Sequence, residues 1–165
     1  MPAKPKKSSR PRTHDVPQPK TPSDERGTLL GFLDYLRDRV IAKIDGVPEP
    51  EIRTPGVDSG TNLLGLIKHL GYVERHQFLG EKPRSWPSTF RATAEETVAG
   101  LLAHYREAIR LANEVITAAP DLNTPVEGSS GPPLRWHLIH AIEETARHAG
   151  QMDIIRERID GVTGR

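Results

Sequence analysis

The stretch HLIHAIEETARHAGQMDIIRERIDG, residues 137–161, decides the fold. Leu138, Ala141, Ile142, Ala149, Met152, Ile155 and Ile159 recur at spacings that keep them on one side of a helix. Pro133 suits its first turn and Asp160-Gly161 ends it, so the helix is predicted from about Pro133 to Ile159. A helix that is apolar on one side must bury that side against another element. The rest of the chain offers three more helices of this kind and no strand-like alternation.

The first helix follows Thr21-Pro22-Ser23, with Ser23 as the expected N-cap and Asp24 and Glu25 at the positive end of the dipole. Leu29, Leu33, Leu36, Val40 and Ile44 form its stripe, with Phe32 alongside, and Asp45-Gly46-Val47-Pro48 ends it. The second runs from about Thr61 to Leu79 on Leu63, Leu66, Ile67, Leu70 and Val73, until GEKPRSWPSTFRA breaks the pattern. The third opens on Thr93-Ala94-Glu95-Glu96, the spacing of a capping box, and continues through Leu102, Tyr105, Ile109 and Ile116. Four amphipathic helices burying their apolar sides together make an all-α four-helix bundle. The proline-rich connections after the first and third helices are long enough for something other than simple up-down packing.

With 165 residues, 35% hydrophobic and 27% charged, the chain reads as one domain able to bury a core. It has no cysteine, so any thiol chemistry must use a sulfur brought by a ligand. No stretch approaches the roughly 20 apolar residues that cross a bilayer, and the N-terminus lacks the apolar segment of a secretory signal. A cytoplasmic location fits. Residues 1–22 read as a disordered basic tail of net charge +5, with residues 23–165 as the bundle domain at −4. An acidic body argues against a nucleic-acid-binding domain, although the tail can touch polyanions weakly.

Seven histidines invite a search for a metal site. His14 belongs to the tail. Glu144 and His148, four apart on a helix, lie about 6 Å apart along its axis and about 40° apart around it, so they can converge on one ion. His140 is about 12 Å from His148 along the axis and cannot share that ion with it. His140 with Glu144 is an alternative pair, turned away from the apolar side. The third ligand must come from another helix, where His69 is better placed than His76 or His104. Glu-x-x-x-His also occurs by chance, and a lone inward histidine can simply be a satisfied core residue. Arg156, two turns beyond His148, either orients an anionic substrate or closes a salt bridge at the helix end.

The runs HLIHAIEETARHAGQMDIIRERIDG and LLGLIKHLGYVERHQFLG together resemble the DinB/YfiT-like superfamily. Within it they are most similar to the actinobacterial branch of mycothiol-dependent maleylpyruvate isomerase and the mini-circle-type proteins. The resemblance covers about residues 25–161. It implies a four-helix bundle holding one divalent metal, zinc or nickel, through three side chains. One is a histidine midway along the second helix, matching His69. The others lie four apart on the last helix, Glu then His in this branch, matching Glu144 and His148. His76, His137 and His140 match no ligand position. The resemblance further implies a metal-dependent enzyme that uses a low-molecular-weight thiol such as mycothiol as cosubstrate, for S-transfer to a small electrophile or for its isomerisation. The substrate domain appended to the isomerase has no counterpart in this chain. The alternative is a non-catalytic, stress-associated bundle, dimeric or not, in which the metal staples the second helix to the last.

Overall fold

In the computed structural model, which describes residues 16–21, 24–126 and 131–163, the chain forms five α-helices. They are α1 (Glu25–Ala42), α2 (Leu63–Leu79), α3 (Trp86–Thr89), α4 (Val98–Ala118) and α5 (Leu134–Asp160), with a 3-10 turn at Glu51–Arg53. The four long helices make the expected bundle. The described residues contain no sheet and no helix long and apolar enough to cross a membrane.

Local chemistry sets the helix starts. Asp24 caps α1 by accepting from the Gly27 N–H at 2.7 Å, while Ser23, the expected cap, lies outside the described residues. Asn62 caps α2 through Gly65 and Thr97 caps α4 through Gly100. The capping-box reading of Thr93–Glu96 is therefore displaced by four residues. Glu96 does accept from the Thr93 N–H at 2.7 Å, but as a separate turn. It also binds Lys68 Nζ at 2.8 Å, and this second tie fixes it beside α2 rather than inside α4. At α5 the cap residue is Pro133, whose ring has no hydrogen-bonding group to offer. There the carbonyls of Thr124 and Leu122 accept from Leu134 and Arg135, each at 2.9 Å, and satisfy two orphaned donors.

Two ties fix the direction of α5 relative to α1. At their N-terminal ends Arg135 makes a two-pronged ion pair with Glu25. At their C-terminal ends Arg156 Nη1 donates to the carbonyls of Lys43 and Asp45, at 3.0 and 2.7 Å. The two helices are parallel. Arg156 thus satisfies carbonyls just beyond the end of α1 and pairs with Asp160 at 2.8 Å on its own helix, which supports the structural role. Gly71 lies against Tyr105, and Phe78, Leu79 and Val115 line one cavity farther along, so α2 and α4 also run together; the pairings of His69 with Glu144 and of Gln77 with His137 set them opposite to α5 and hence to α1. The order is up-down-down-up. The crossover it requires is the pattern-breaking segment after the second helix, which contains α3. The connections after the first and third helices join antiparallel neighbours instead.

The core falls into two apolar clusters separated by a polar belt. One gathers Val40, Ile52, Leu63, Leu66, Leu70, Leu101, Met152 and Ile155; the other gathers Leu33, Phe78, Ala112, Ile116, Leu134 and Leu138. Ile52 anchors the connection between α1 and α2 in the first cluster. In the belt, the fully buried Arg37 of α1 makes two bonds to Glu74 of α2, at 2.7 and 2.6 Å, and one each to Asp34 and Asn113, both at 2.7 Å. The opposing charges hold the Arg37 guanidinium pKa above its ordinary value despite burial, which alone would lower it.

Residues 16–21, the described part of the expected tail, have no regular secondary structure and lie against α1. The Val16 carbonyl accepts from the Tyr35 hydroxyl at 3.1 Å, and Thr21 packs on Gly31. The remaining residues of the tail lie outside the described ones. Gly150 corrects a second expectation. The run Ala149-Gly150 reads as a site of close helix approach, and Ala149 is indeed buried. Gly150, however, faces outward, and a Cβ added there would meet nothing within 4 Å. Gly150→Ala is therefore expected to stabilise the protein by about 0.5–1 kcal/mol, read as a rise in the thermal unfolding midpoint.

Candidate metal centre

His69 on α2 and Glu144 and His148 on α5 meet within the polar belt. One ligand-type atom from each lies within 4.8 Å of the other two. Glu144 Oε2 stands 3.5 Å from His148 Nε2 and 4.0 Å from His69 Nε2. Both histidines are buried, at 4% and 5% exposure, and Glu144 is partly exposed, as its place at the border of the apolar arc predicts.

Neighbouring side chains settle which ring nitrogens carry protons. The Thr89 hydroxyl donates its only proton to the Trp86 carbonyl at 2.6 Å, so toward His69 Nδ1, at 2.8 Å, it can only accept. The proton of neutral His69 therefore sits on Nδ1 and the lone pair on Nε2. At His148, Nδ1 donates to Gln151 Oε1 at 2.8 Å, again leaving Nε2 bare. Two imidazole lone pairs and one carboxylate thus converge. Burial, reinforced by the charge His148 would carry, lowers the His69 pKa to about 4, so the ring is neutral at physiological pH. Two imidazole nitrogens plus a carboxylate, with outer partners fixing the rings, are the donor set of a divalent cation that keeps an open position. The residues present fit such an ion.

The crossover supplies the outer partners. Phe90 stacks on the His69 ring with centroids 3.7 Å apart, closing one side against water. It can do so because Gly65 has no side chain: a Cβ there would fall 2.0 Å from the Phe90 carbonyl oxygen. Thr89 has no signal in the sequence beyond the short Ser85-Trp86-Pro87 helix start, and its role escapes pattern reading altogether.

The other histidines separate cleanly. His104 lies against Gly71 and Tyr72, away from the three groups, and burial lowers its pKa. His140, Glu143 and Glu144 form a second acidic grouping, but Glu143 is exposed and already pairs with Arg147 and His140. That grouping is a solvated ion-pair face. His76, His137 and His140 line an open cavity of about 460 Å³ that reaches His69 and Glu144 at its inner end.

A profile of the Mycothiol-S-transferase family matches residues 28–161. The chain belongs to that family. It is a DinB/YfiT-like protein, and the matched span takes in all five helices except the first three residues of α1. No curated protein matches it. Thr89→Val keeps the shape of the His69 contact but removes its acceptor. Zinc affinity is expected to fall about 10- to 100-fold, measured by competition with a chelating dye, with the helical circular dichroism unchanged.

Proposed function

We propose that this protein is a metal-dependent S-transferase that joins mycothiol, or a closely similar small thiol, to a small electrophile. His69, Glu144 and His148 would hold the divalent cation, with zinc the favoured occupant of two imidazoles and a carboxylate and nickel the alternative. The observation that carries the reading is their convergence, with both Nε2 lone pairs preset, beside an open cavity that His69 and Glu144 line. A cation held there would lower the pKa of a thiol that reaches it and so supply the nucleophilic thiolate.

The chain's own groups do the rest. Thr89 and Gln151 hold the two rings in the ligating tautomer, and Phe90 keeps water off one side of His69. The chain has no cysteine to compete for the electrophile or for the metal. In the transfer the S–H bond breaks and the sulfur pair forms the new S–C bond. The leaving group departs with its own pair, and the proton passes to solvent or to a base in the cavity. A reducing compartment, where small thiols stay reduced, suits this chemistry.

The test is zinc-loaded protein with mycothiol and a panel of test electrophiles bearing halide leaving groups. Thioether formation well above the uncatalysed rate, lost when the metal is stripped and regained on reloading, is expected. A zinc-loaded protein that neither binds mycothiol nor accelerates any of these reactions would instead be the metal-stapled, non-catalytic bundle.

A further inference from the structure

The outward side of α5 plays no part in the bundle core or in the metal centre, yet it is not simply polar. Trp136, Ile139 and Ile154 are 47%, 53% and 60% exposed, the three most exposed large apolar side chains among the described residues. Helical geometry puts them with Glu143, Arg147 and Gly150 within an arc of about 100°, opposite the buried Leu138, Thr145 and Met152. The arc runs about 27 Å along the helix from Trp136 to Ile154. Trp136 also stands, with the exposed Trp86, at the rim of the cavity beside the metal centre.

This arc is complementary to its own inverted copy. Let a second α5 lie antiparallel across it, with the two-fold axis between Ala146 and Arg147. Ile139 of each chain then faces Ile154 of the other, and Glu143 faces Gly150, which has no side chain to obstruct the approach. Ala146, exposed and small, sits at the axis, where the side chains at the contact set how closely two helices come together. Charge selects the direction. Glu143 and Arg147 pair within one chain, and in the antiparallel contact Arg147 lies within one turn of the partner's Glu143. A parallel contact would instead set Glu143 beside Glu143 and Arg147 beside Arg147. A two-fold contact needs the same patch on both sides, a symmetry that an unrelated partner does not impose.

We infer that the outward face of α5 is a homodimer contact, in which two chains pack antiparallel through Ile139, Ile154 and reciprocal Glu143–Arg147 ion pairs. Trp136 falls at the edge of the contact, and the two cavities lie at its opposite ends. One helix face is a small interface, so the dimer is reversible and its population rises with concentration.

Sedimentation of the zinc-loaded full chain over a range of concentrations tests this. Wild type is expected to pass from one chain to two per particle as concentration rises. Ile154→Asp, at a position too exposed to disturb the core, should raise the dissociation constant at least tenfold. Glu143→Arg and Arg147→Glu each surround the axis with like charges and should be monomeric with unchanged helical circular dichroism. Mixing these two variants in equal amounts should restore a dimer, a recovery that an ion pair confined to one chain does not give. A wild type that stays monomeric at every concentration overturns the inference and leaves the face to another partner. A dimer unmoved by Ile154→Asp overturns it by placing the contact elsewhere. Charge variants that remain monomeric when mixed overturn the antiparallel pairing on which the inference rests.

Discussion

Protein carrying His148→Ala or His69→Ala is expected to lose its zinc on dialysis, whereas wild type keeps close to one ion per chain. Among the described residues three side chains meet at the centre, and each substitution leaves a pair. If the three share comparably in the ~10–16 kcal/mol typical of a structural zinc site, one histidine is worth about 4 kcal/mol, or roughly a thousandfold in affinity. The fold should survive, because the apolar clusters on either side of the belt are untouched. Elemental analysis and far-UV circular dichroism on the same samples read both quantities. Stoichiometric metal retained in both variants would remove these residues as ligands.

The same centre gives the metal-free protein a pH signature. His69 titrates near 4 in the folded chain and near 6.5 when unfolded, so between those values the unfolded state binds more protons. Its contribution is fully present above about pH 6.5 and fades as pH falls toward 4. Urea midpoints of wild type and His69→Gln should therefore converge over that window.

The largest stability effect is expected at Glu74. Glu74→Ala leaves the Arg37 guanidinium buried with only the half-exposed Asp34 as a charged partner, and should cost about 3–5 kcal/mol. Arg37→Met combined with Glu74→Leu removes both charges and fills the space with apolar groups. That double variant should be far closer to wild type than Glu74→Ala, since a buried ion pair gives little net stability over a well-packed apolar substitute. Urea unfolding followed at the helical band measures all three. A double variant as unstable as the single one would show that the bidentate geometry, rather than charge burial, holds α1 to α2.

The sequence carried much of this and missed parts for identifiable reasons. Helical periodicity found the four long helices, because a long amphipathic pattern is repeated many times over its length. The i, i+4 spacing placed Glu144 and His148 on one side of α5, and the same reasoning preferred His69 to His76 and His104. Arg37 was invisible, since a charged residue on a buried side is legible only once its partner on another helix is known. Arg156 left two readings open because its partners, the carbonyls of Lys43 and Asp45 just beyond α1, are far away in the chain. The crossover read as a break in pattern, although it builds the His69 environment. A four-residue helix has no period to detect, and the Thr89 hydroxyl is defined by a contact across twenty positions of sequence.

The two tryptophans have a practical consequence. They are the only ones in the chain, and both stand at the rim of the cavity with none in the core. Indole emission from the native protein should already resemble that of a water-exposed residue, so it will be a poor reporter of global unfolding. A molecule entering the cavity covers both indoles at once. Intrinsic fluorescence in this protein is an optical gauge of occupancy, supplied by the chain itself.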